Sequence, residues 1–284
     1  MNTFLRSLTT TQQIGALFLV VFGVLSLVTL WAFLRNLREV PDGDADAAAT
    51  RKAAARRFRG LLQTSWAMAT VFWVGWALGD TAATVLFALV AFFALREFIT
   101  LSPTRRGDHR SLVLAFFVVL PLQFVLVGTR HFDLFTVFIP VYVFLALPVV
   151  SALANDPQRF LERSAKLQWG IMVCVYGMSH VPALLLLDFP GQEPGRGAFL
   201  VFYLVLVVQT CMVVQHLLGR RFPHLPVAPQ VSQSFQWASW LAGVGVGGLV
   251  GGVLSFITPF KPGQALGMAL LACVAGSLGH LVMK

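Results

Sequence analysis

The chain has 284 residues, of which 57% are hydrophobic and 12% are charged, and its mean hydropathy is +0.77. These values exclude an ordinary soluble globular domain and predict an integral membrane protein. The net charge of +9 does not by itself indicate nucleic-acid binding, because positive residues between apolar spans set topology and touch anionic headgroups. Nucleic acid is therefore not an expected partner.

Nine apolar stretches of about 15 to 23 residues follow one another, the third of them short, and a helix needs about 20 residues to cross the hydrocarbon core. They cover residues 14–34, 61–78, 81–95, 111–128, 134–153, 167–187, 198–218, 236–257 and 265–283. The pattern predicts an all-α fold, a polytopic membrane helix bundle of about nine transmembrane helices. Prolines inside the spans predict kinks, which membrane bundles tolerate.

Lys and Arg are distributed unevenly between alternate loops. Seventeen fall in the odd-numbered loops and at the C-terminus, and four fall on the other side, namely Arg6, Arg130, Arg196 and Lys261. Because Lys and Arg concentrate in cytoplasmic loops, the count predicts an outside N-terminus and a cytoplasmic C-terminus.

The longest predicted loop, 35–60, is a cytoplasmic basic loop that begins with the acidic "EVPDGDADAAA" and ends with "TRKAAARRFRG". The basic part forms either a short helix on anionic headgroups or an ordinary flank that stops translocation. No repeat or low-complexity linker divides the chain, so we treat 1–284 as a single integral membrane domain.

Three groups of residues could be mistaken for sites or could carry one. The segment "GVGVGGLVGG" lacks the βαβ context of a dinucleotide site, and its four-residue glycine spacing predicts close helix packing. Cys174, Cys211 and Cys273 lack metal-ligand spacing and are predicted to be small core residues. His180, beside Ser179 in "YGMSH", either serves function within the membrane or bonds to a neighbouring helix.

The acidic residues are unevenly placed. The last of the twelve Asp and Glu residues is Glu193, and no acidic residue follows it. Magnesium takes oxygen ligands, usually from carboxylates and substrate phosphates. The last ninety or so residues therefore cannot supply a conventional magnesium–nucleotide site, and no metal ligand is predicted. Glu97 in "LREF" is the acid best placed to face a headgroup, or it pairs with a neighbouring arginine.

Several segments together resemble the phosphatidate cytidylyltransferase family. "FFALREFITL" is similar to the family's aromatic-rich "ALREY" helix end, and "WGIMVCVYGMSH" to a segment of a divergent bacterial branch. "HLLGRRFPHLPVAPQVSQSFQWAS" resembles G-[RK]-x-x-G followed by A-P-x-[IV]-S-P-x-K-T-x-E-G. "SFITPFKPGQALGMALLACVAGSLGHLVMK" resembles T-P-x-x-x-x-Q-A…G-x-x-G-D-x-x-x-S-x-x-K-R-D.

The resemblance implies a magnesium-dependent membrane enzyme that makes CDP-diacylglycerol and pyrophosphate from CTP and phosphatidate. The family's seventh-span acid and N-D pair fall on Gln209, Cys211 and Met212. The motif's Pro, Lys, Thr, Glu and Gly fall on Gln233, Phe235, Gln236, Ala238 and Ser239, and the Asp of G-D falls on His280. Gln209, Gln215 and His216 are then expected to be neutral remnants of a cavity-lining face, or simply polar residues at a helix end.

The candidate residues for binding substrate or phosphate are Arg220, Arg221, Ser232, His180 and His216. Catalytic residues are not assigned. The sequence therefore leaves three functions open: a phosphatidate cytidylyltransferase-like enzyme, a non-catalytic relative that binds anionic lipid or a partner lipid enzyme, and a transporter.

The expected partners are anionic phospholipid and, through the resemblance, CTP, and a homodimer is left open. The expected location is the bacterial inner membrane. The chain reaches Lys284 before the position of the family's K-R-D…K-D signature, so a longer reading frame that carries the signature is an alternative.

Overall fold

The structure, a computed structural model, describes residues 9–37, 45–102, 104–189, 195–221, 226–228 and 232–282. The side chains of 35–37, 45–55, 57, 58, 61, 220, 221, 226–228 and 232–234 also lie outside this description. The described chain is almost entirely helical, and a short hairpin interrupts its last third. The all-α membrane bundle predicted from the sequence is confirmed.

The helices are numbered here in chain order. They are α1 (Thr10–Leu37), α2 (Ala45–Leu78), α3 (Asp80–Thr100), α4 (Arg106–Gly128), α5 (Phe132–Ala152), α6 (160–185), α7 (Gly197–Arg221), α8 (Trp237–Val253) and α9 (Pro262–Val282). The antiparallel hairpin of β1 (Pro226–Ala228) and β2 (Ser232–Gln236) lies between α7 and α8. Pro226 pairs with Gln236, and Ala228 pairs with Ser232.

Seven of these described helices are long and apolar enough to cross a membrane: α1, α3, α4, α5, α7, α8 with the 3₁₀ turn that follows it, and α9. The other two predicted spans are also helical, in α2 and α6. Their helices are more polar, because α2 begins with a basic segment and α6 begins with "FLERSAK". The count of nine and the orientation of the termini stay predictions.

The predicted loop 35–60 needs a correction to its conformation. It is helical from Ala45 onward, because α2 runs without a break through "ADAAATRKAAARRFRG" into the apolar segment. Ala, Arg and Lys are strong helix formers, and their number in this segment outweighs the single Gly60. Residues 38–44 lie outside the description.

The chain, treated above as one domain, groups into two compact units, Met1–Leu186 and Leu187–Lys284. In the first unit, α3 packs against α2, α4 and α6. Its buried stripe consists of Ala83, Phe87, Ala91 and Leu95, spaced four residues apart along one helix face. This spacing explains why α3 holds the central place in the unit.

The first two helices meet through aromatic rings. Phe18 lies 5.3 Å from Phe72 and 5.4 Å from Trp76, measured between ring centroids. Trp66 donates a hydrogen bond from Nε1 to Thr29 Oγ1 at 3.1 Å, which satisfies the indole N–H beside an apolar face.

The second unit is a three-helix packing of α7, α8 and α9. Its core contains Val207 and Cys211 from α7 and Ala265, Ala269 and Cys273 from α9, all fully buried. The glycines at 243, 247 and 251 line the α8 face between them, since each is buried and a Cβ there would meet a neighbouring helix. The structure confirms that the glycine stripe packs against neighbouring helices.

Candidate functional site

Helix α7 carries the polar residues that the sequence singled out, and the structure places them on two different stripes. Cys211 and Gln215, four residues apart, are buried against α8. Gln209, Met212 and His216 form the other stripe, where Met212 is half-buried and the other two are exposed. The expectation of one face containing Gln209, Gln215 and His216 is therefore wrong in its geometry, because helical spacing separates position 215 from the other two.

The buried stripe is closely packed. A Cβ on Gly243 would lie 2.8 Å from the backbone oxygen of Cys211 and 3.3 Å from Cβ of Gln215. Two helices approach this closely only where one presents glycine. Position 211, which the sequence resemblance matched to the Asn of the family motif, therefore belongs to a helix interface and does not open into a cavity.

Gln215 has an unsatisfied buried oxygen. Its residue is 8% exposed, and its Oε1 has no hydrogen-bond partner among the described residues. Gln236, also 8% exposed, has the same deficit at its own Oε1. A buried acceptor without a donor costs about 1–3 kcal/mol. The second unit therefore contains two neutral acceptors in need of donors.

The degenerate motif positions after α7 have varied environments. Phe235, where the family has Lys, is 2% exposed and packs 6.0 Å from Trp240, centroid to centroid. Ala238 and His280 are exposed, His280 in the last turn of α9. Phe235 thus acts as a core residue that fastens β2 to the start of α8, a role that its apolar character could have suggested.

Three of the predicted binding residues lie around the junction between α7 and the hairpin. Arg220 and Arg221 lie in the last turn of α7 and Ser232 begins β2, but their side chains fall outside the described part of the structure. Two candidates remain: His216, on the exposed stripe of α7, and His180, which lies in the first unit, close to the end of α6. His180 is half-buried, and its Nδ1 lies 2.7 Å from the carbonyl oxygen of Tyr176.

Sequence reasoning missed a charged network in the first unit. Arg163, whose side chain is 8% exposed, lies with Nε 3.0 Å from Asp108 Oδ1 and Nη1 2.7 Å from Asp156 Oδ2. Asp108 also accepts a bond from the backbone N–H of Arg105 at 2.9 Å. Asp108 precedes α5 and Asp156 follows it, so neither their spacing in the sequence nor helical periodicity predicts that they share one arginine.

This network has electrostatic and steric consequences. Burial acts to raise the pKa of Asp156, but the hydrogen bonds from Arg163 and the Gln158 backbone, with the charges of Arg163 and Arg105, together lower that pKa below its usual range. A small cavity beside the network, about 20 Å³ for the centres of water molecules, is lined by Asp108, Ser151 and Arg163, among others. That space suits one or two water molecules.

Across the described residues, no three His, Cys, Asp or Glu side chains converge as a metal site would require. The metal-ligating groups available at Gln209, Met212, Gln215, His216 and His280 are amides, a thioether and imidazoles. The chain runs from α7 through the hairpin to α8, and the family motif quoted above follows the same order.

Comparison with known proteins identifies the chain's relatives. The profile of the Cytidylyltransferase family matches residues 61–284, so α1 and the start of α2 lie outside the match. The uncharacterized protein YnbB of Escherichia coli strain K12 is 31% identical over 208 residues, which cover 70% of this chain. The aligned part spans 64% of that relative's length. No solved structure gives a significant match. Since the family profile covers well over half of its residues, this chain belongs to the cytidylyltransferase family.

Proposed function

We propose that this chain serves phospholipid biosynthesis in the bacterial inner membrane as a cytidylyltransferase-family protein that binds an anionic phospholipid and does not itself transfer cytidylyl groups. The observation that carries the proposal is the donor set of α7, where Gln209, Cys211 and Met212 occupy the positions of the family's acid and N-D pair. Family membership supports the lipid substrate class, and these three residues oppose the chemistry.

The magnesium ion that the family implies can be tested against these residues. Magnesium prefers carboxylate and phosphate oxygens in an octahedral arrangement. Met212 offers only a soft thioether sulfur, and Cys211 is enclosed by the α8 glycines. The acceptors of Gln215 and Gln236 are neutral oxygens, and no acid follows Glu193. The residues of α7, β2, α8 and α9 therefore do not fit magnesium, and we derive no step through it.

An anionic lipid still fits as a ligand, because cationic side chains can bind its phosphate without a metal ion. Arg220 and Arg221 are adjacent residues at the end of α7, on the side that the charge distribution predicts to be cytoplasmic. Arginine binds phosphate oxygens through two parallel N–H bonds, which gives both energy and orientation. An arginine pair next to an apolar span suits a phosphate that is anchored by acyl chains.

An active phosphatidate cytidylyltransferase is the second candidate, and the continuous family match over 61–284 favours it. In that reaction a phosphate oxygen of phosphatidate attacks the α-phosphorus of CTP. The bond to the bridging oxygen breaks, and pyrophosphate leaves. The two candidates differ in one observable quantity, namely the formation of CDP-diacylglycerol.

The activity test incubates the purified full chain with radiolabelled CTP, phosphatidate and magnesium, and measures lipid-soluble label. Our proposal expects no label above that of a mock preparation. Turnover well above the mock preparation would establish the enzyme and overturn the non-catalytic proposal.

The binding test uses native mass spectrometry to measure how much phosphatidate the chain retains after release from nanodiscs. Nanodiscs without phosphatidate serve as the blank. The Arg220→Gln/Arg221→Gln variant should bind phosphatidate about tenfold or more weakly, since each charged hydrogen bond contributes about 1.5–3 kcal/mol. The matched control, Arg196→Gln/Lys261→Gln, removes two charges from the predicted opposite side and should bind as the wild type does. Equal losses in the two variants would contradict a site at α7.

A further inference from the structure

The first unit has exposed arginines that no carboxylate neutralises. Around the α3–α4 and α5–α6 loops, three acids already have cationic partners, because two of them pair with Arg163 and Glu162 pairs with Lys166. Among the described acids around these loops, only Glu97 makes no ion pair. Five further arginines of the unit are exposed and make no ion pair or hydrogen bond with another described residue, namely Arg56, Arg59, Arg96, Arg106 and Arg110.

The contact between α2 and α3 determines the level of two of these arginines. A Cβ on Gly75 of α2 would lie 3.6 Å from Cα of Ala83 in α3. Helix α3 ends at Thr100, 17 residues beyond Ala83, and since α2 runs antiparallel to it, 17 residues back from Gly75 reach position 58. Arg56 and Arg59 lie within two residues of that position, or about 3 Å along the helix axis. They are therefore level with the end of α3.

Helix α4 brings two more arginines to this level. Ile99, in the last turn of α3, and Leu112 of α4 line the same cavity beside the charged network. Arg110 lies two residues before Leu112, and Arg106 begins α4. The fifth arginine, Arg96, lies four residues before the end of α3, about 6 Å deeper. Three helices thus present unpaired cations at one end.

The opposite end of the same helices differs. Arg130, which follows α4, has its Nη2 3.4 Å from Oδ2 of Asp80, which begins α3. That cation is neutralised, whereas the five arginines at the other end are not. The excess positive charge of α2, α3 and α4 therefore lies at the end that the sequence predicts to be cytoplasmic.

Large apolar side chains are exposed at the same end. Leu101 and Leu161 are each 79% exposed, and Leu153 is 71% exposed. Leu101 follows α3, Leu153 follows α5, and Leu161 lies in the first turn of α6. Exposed leucines beside unpaired cations fit the region of a bilayer where acyl chains meet phosphate groups. Charge and apolar surface together therefore select an anionic lipid as the partner of this end.

We propose that these five arginines form a basic collar that binds the phosphates of anionic phospholipids around the first unit. Each guanidinium can form two parallel N–H bonds to one phosphate, while its aliphatic stem lies along the acyl chains. Arg56 and Arg59 precede residue 61, where the family match begins. The basic collar is separate from the arginines of α7 and does not depend on the function proposed for them.

The test measures the lipid preference of the purified full chain in phosphatidylcholine bilayers with a trace of spin-labelled phosphatidylglycerol or spin-labelled phosphatidylcholine. Electron paramagnetic resonance gives the fraction of each label that the protein holds motionally restricted, and the ratio of the two association constants is the preference for anionic lipid. We expect a ratio of about two or more in about 0.1 M salt, because one arginine favours an anionic lipid beside it by about fivefold and the average includes uncharged positions. In about 1 M salt the ratio should approach one, since the screening length falls to about 3 Å.

The variant Arg59→Gln/Arg110→Gln removes two arginines of the basic collar, and Arg105→Gln/Arg159→Gln is the matched control. The control removes the same charge from the same end, but each of its arginines already lies within 4.0 Å of a carboxylate. Those carboxylates keep a second cation after the exchange. Because the two collar side chains bond to no other described residue, their exchange removes charge without breaking a contact.

The basic collar predicts that Arg59→Gln/Arg110→Gln loses about half or more of the preference for phosphatidylglycerol, whereas the control keeps most of it. Equal losses in the two variants would show that total charge selects the lipid, and would overturn the collar. A wild-type ratio of one in about 0.1 M salt would overturn it too, and this result needs no variant to fold. Both variants keep Arg220 and Arg221, so the phosphatidate test at α7 fails or succeeds independently.

Discussion

The contact between α7 and α8 offers a sharp test of the packing in the second unit. In Gly243→Ala the new Cβ would lie 2.8 Å from the backbone oxygen of Cys211, whereas ordinary contacts begin at 3.4 Å. A backbone atom cannot rotate away, so the helices must separate by several tenths of an ångström. Overpacking of this kind costs about 1–3 kcal/mol.

The matched control is Gly245→Ala in the same helix, where a Cβ meets nothing within 4 Å. Both variants gain the same helix propensity, up to about 1 kcal/mol, so their difference isolates the contact. At about 2–4 °C per kcal/mol, Gly243→Ala should melt about 2–12 °C below Gly245→Ala in detergent. Equal melting temperatures would refute the close approach of α7 and α8.

Three further predictions concern the charged network and the cysteines. Arg163→Gln leaves Asp108 and Asp156 without their cation and should lower the free energy of unfolding by about 3 kcal/mol. Arg159→Gln removes only an exposed ion pair and should lower it by less than about 1 kcal/mol. Similar losses in the two variants would contradict the network. Because the pKa of Asp156 is lowered in the folded state, its carboxylate stabilises the fold above the unfolded-state pKa, and this stabilisation is lost as the pH falls below about 4. Melting temperatures measured from pH 7 to pH 3 should show this loss. Asp156→Asn should make the melting temperature depend less on pH over the same range. Cys174, Cys211 and Cys273 are buried, so a polar maleimide should label none of them until the protein is unfolded, and rapid labelling in the folded state would show that a packed helix face is open.

The sequence was sufficient for the fold class because apolar length is a strong signal in membrane helices. It also identified the glycine stripe on α8, since spacing by four residues places small residues on one helix face. It failed at α2, where an acidic and basic composition suggested a loop but helix propensity continues the helix from Ala45. It gave no sign of the β1–β2 hairpin, which is short and has no alternating apolar pattern.

The candidate site was predicted only in part. The motif order located α7, but the division of its polar residues into two stripes depends on which face meets α8, and a single sequence does not contain that information. The network joins Asp108 in the first turn of α4 to Asp156 and Arg163, which lie 48 and 55 residues further along the chain, in the loop after α5 and at the start of α6.

The close approach of α8 to α7 also decides which side chains each position of α7 can accept. Carboxylates at 209 and 212 would project from the outer stripe and need little repacking. An asparagine at 211 would instead have to enter the space that the glycines of α8 leave for a thiol. The tight helix pair therefore restricts position 211 to small side chains, whereas positions 209 and 212 on the outer stripe have room for larger ones.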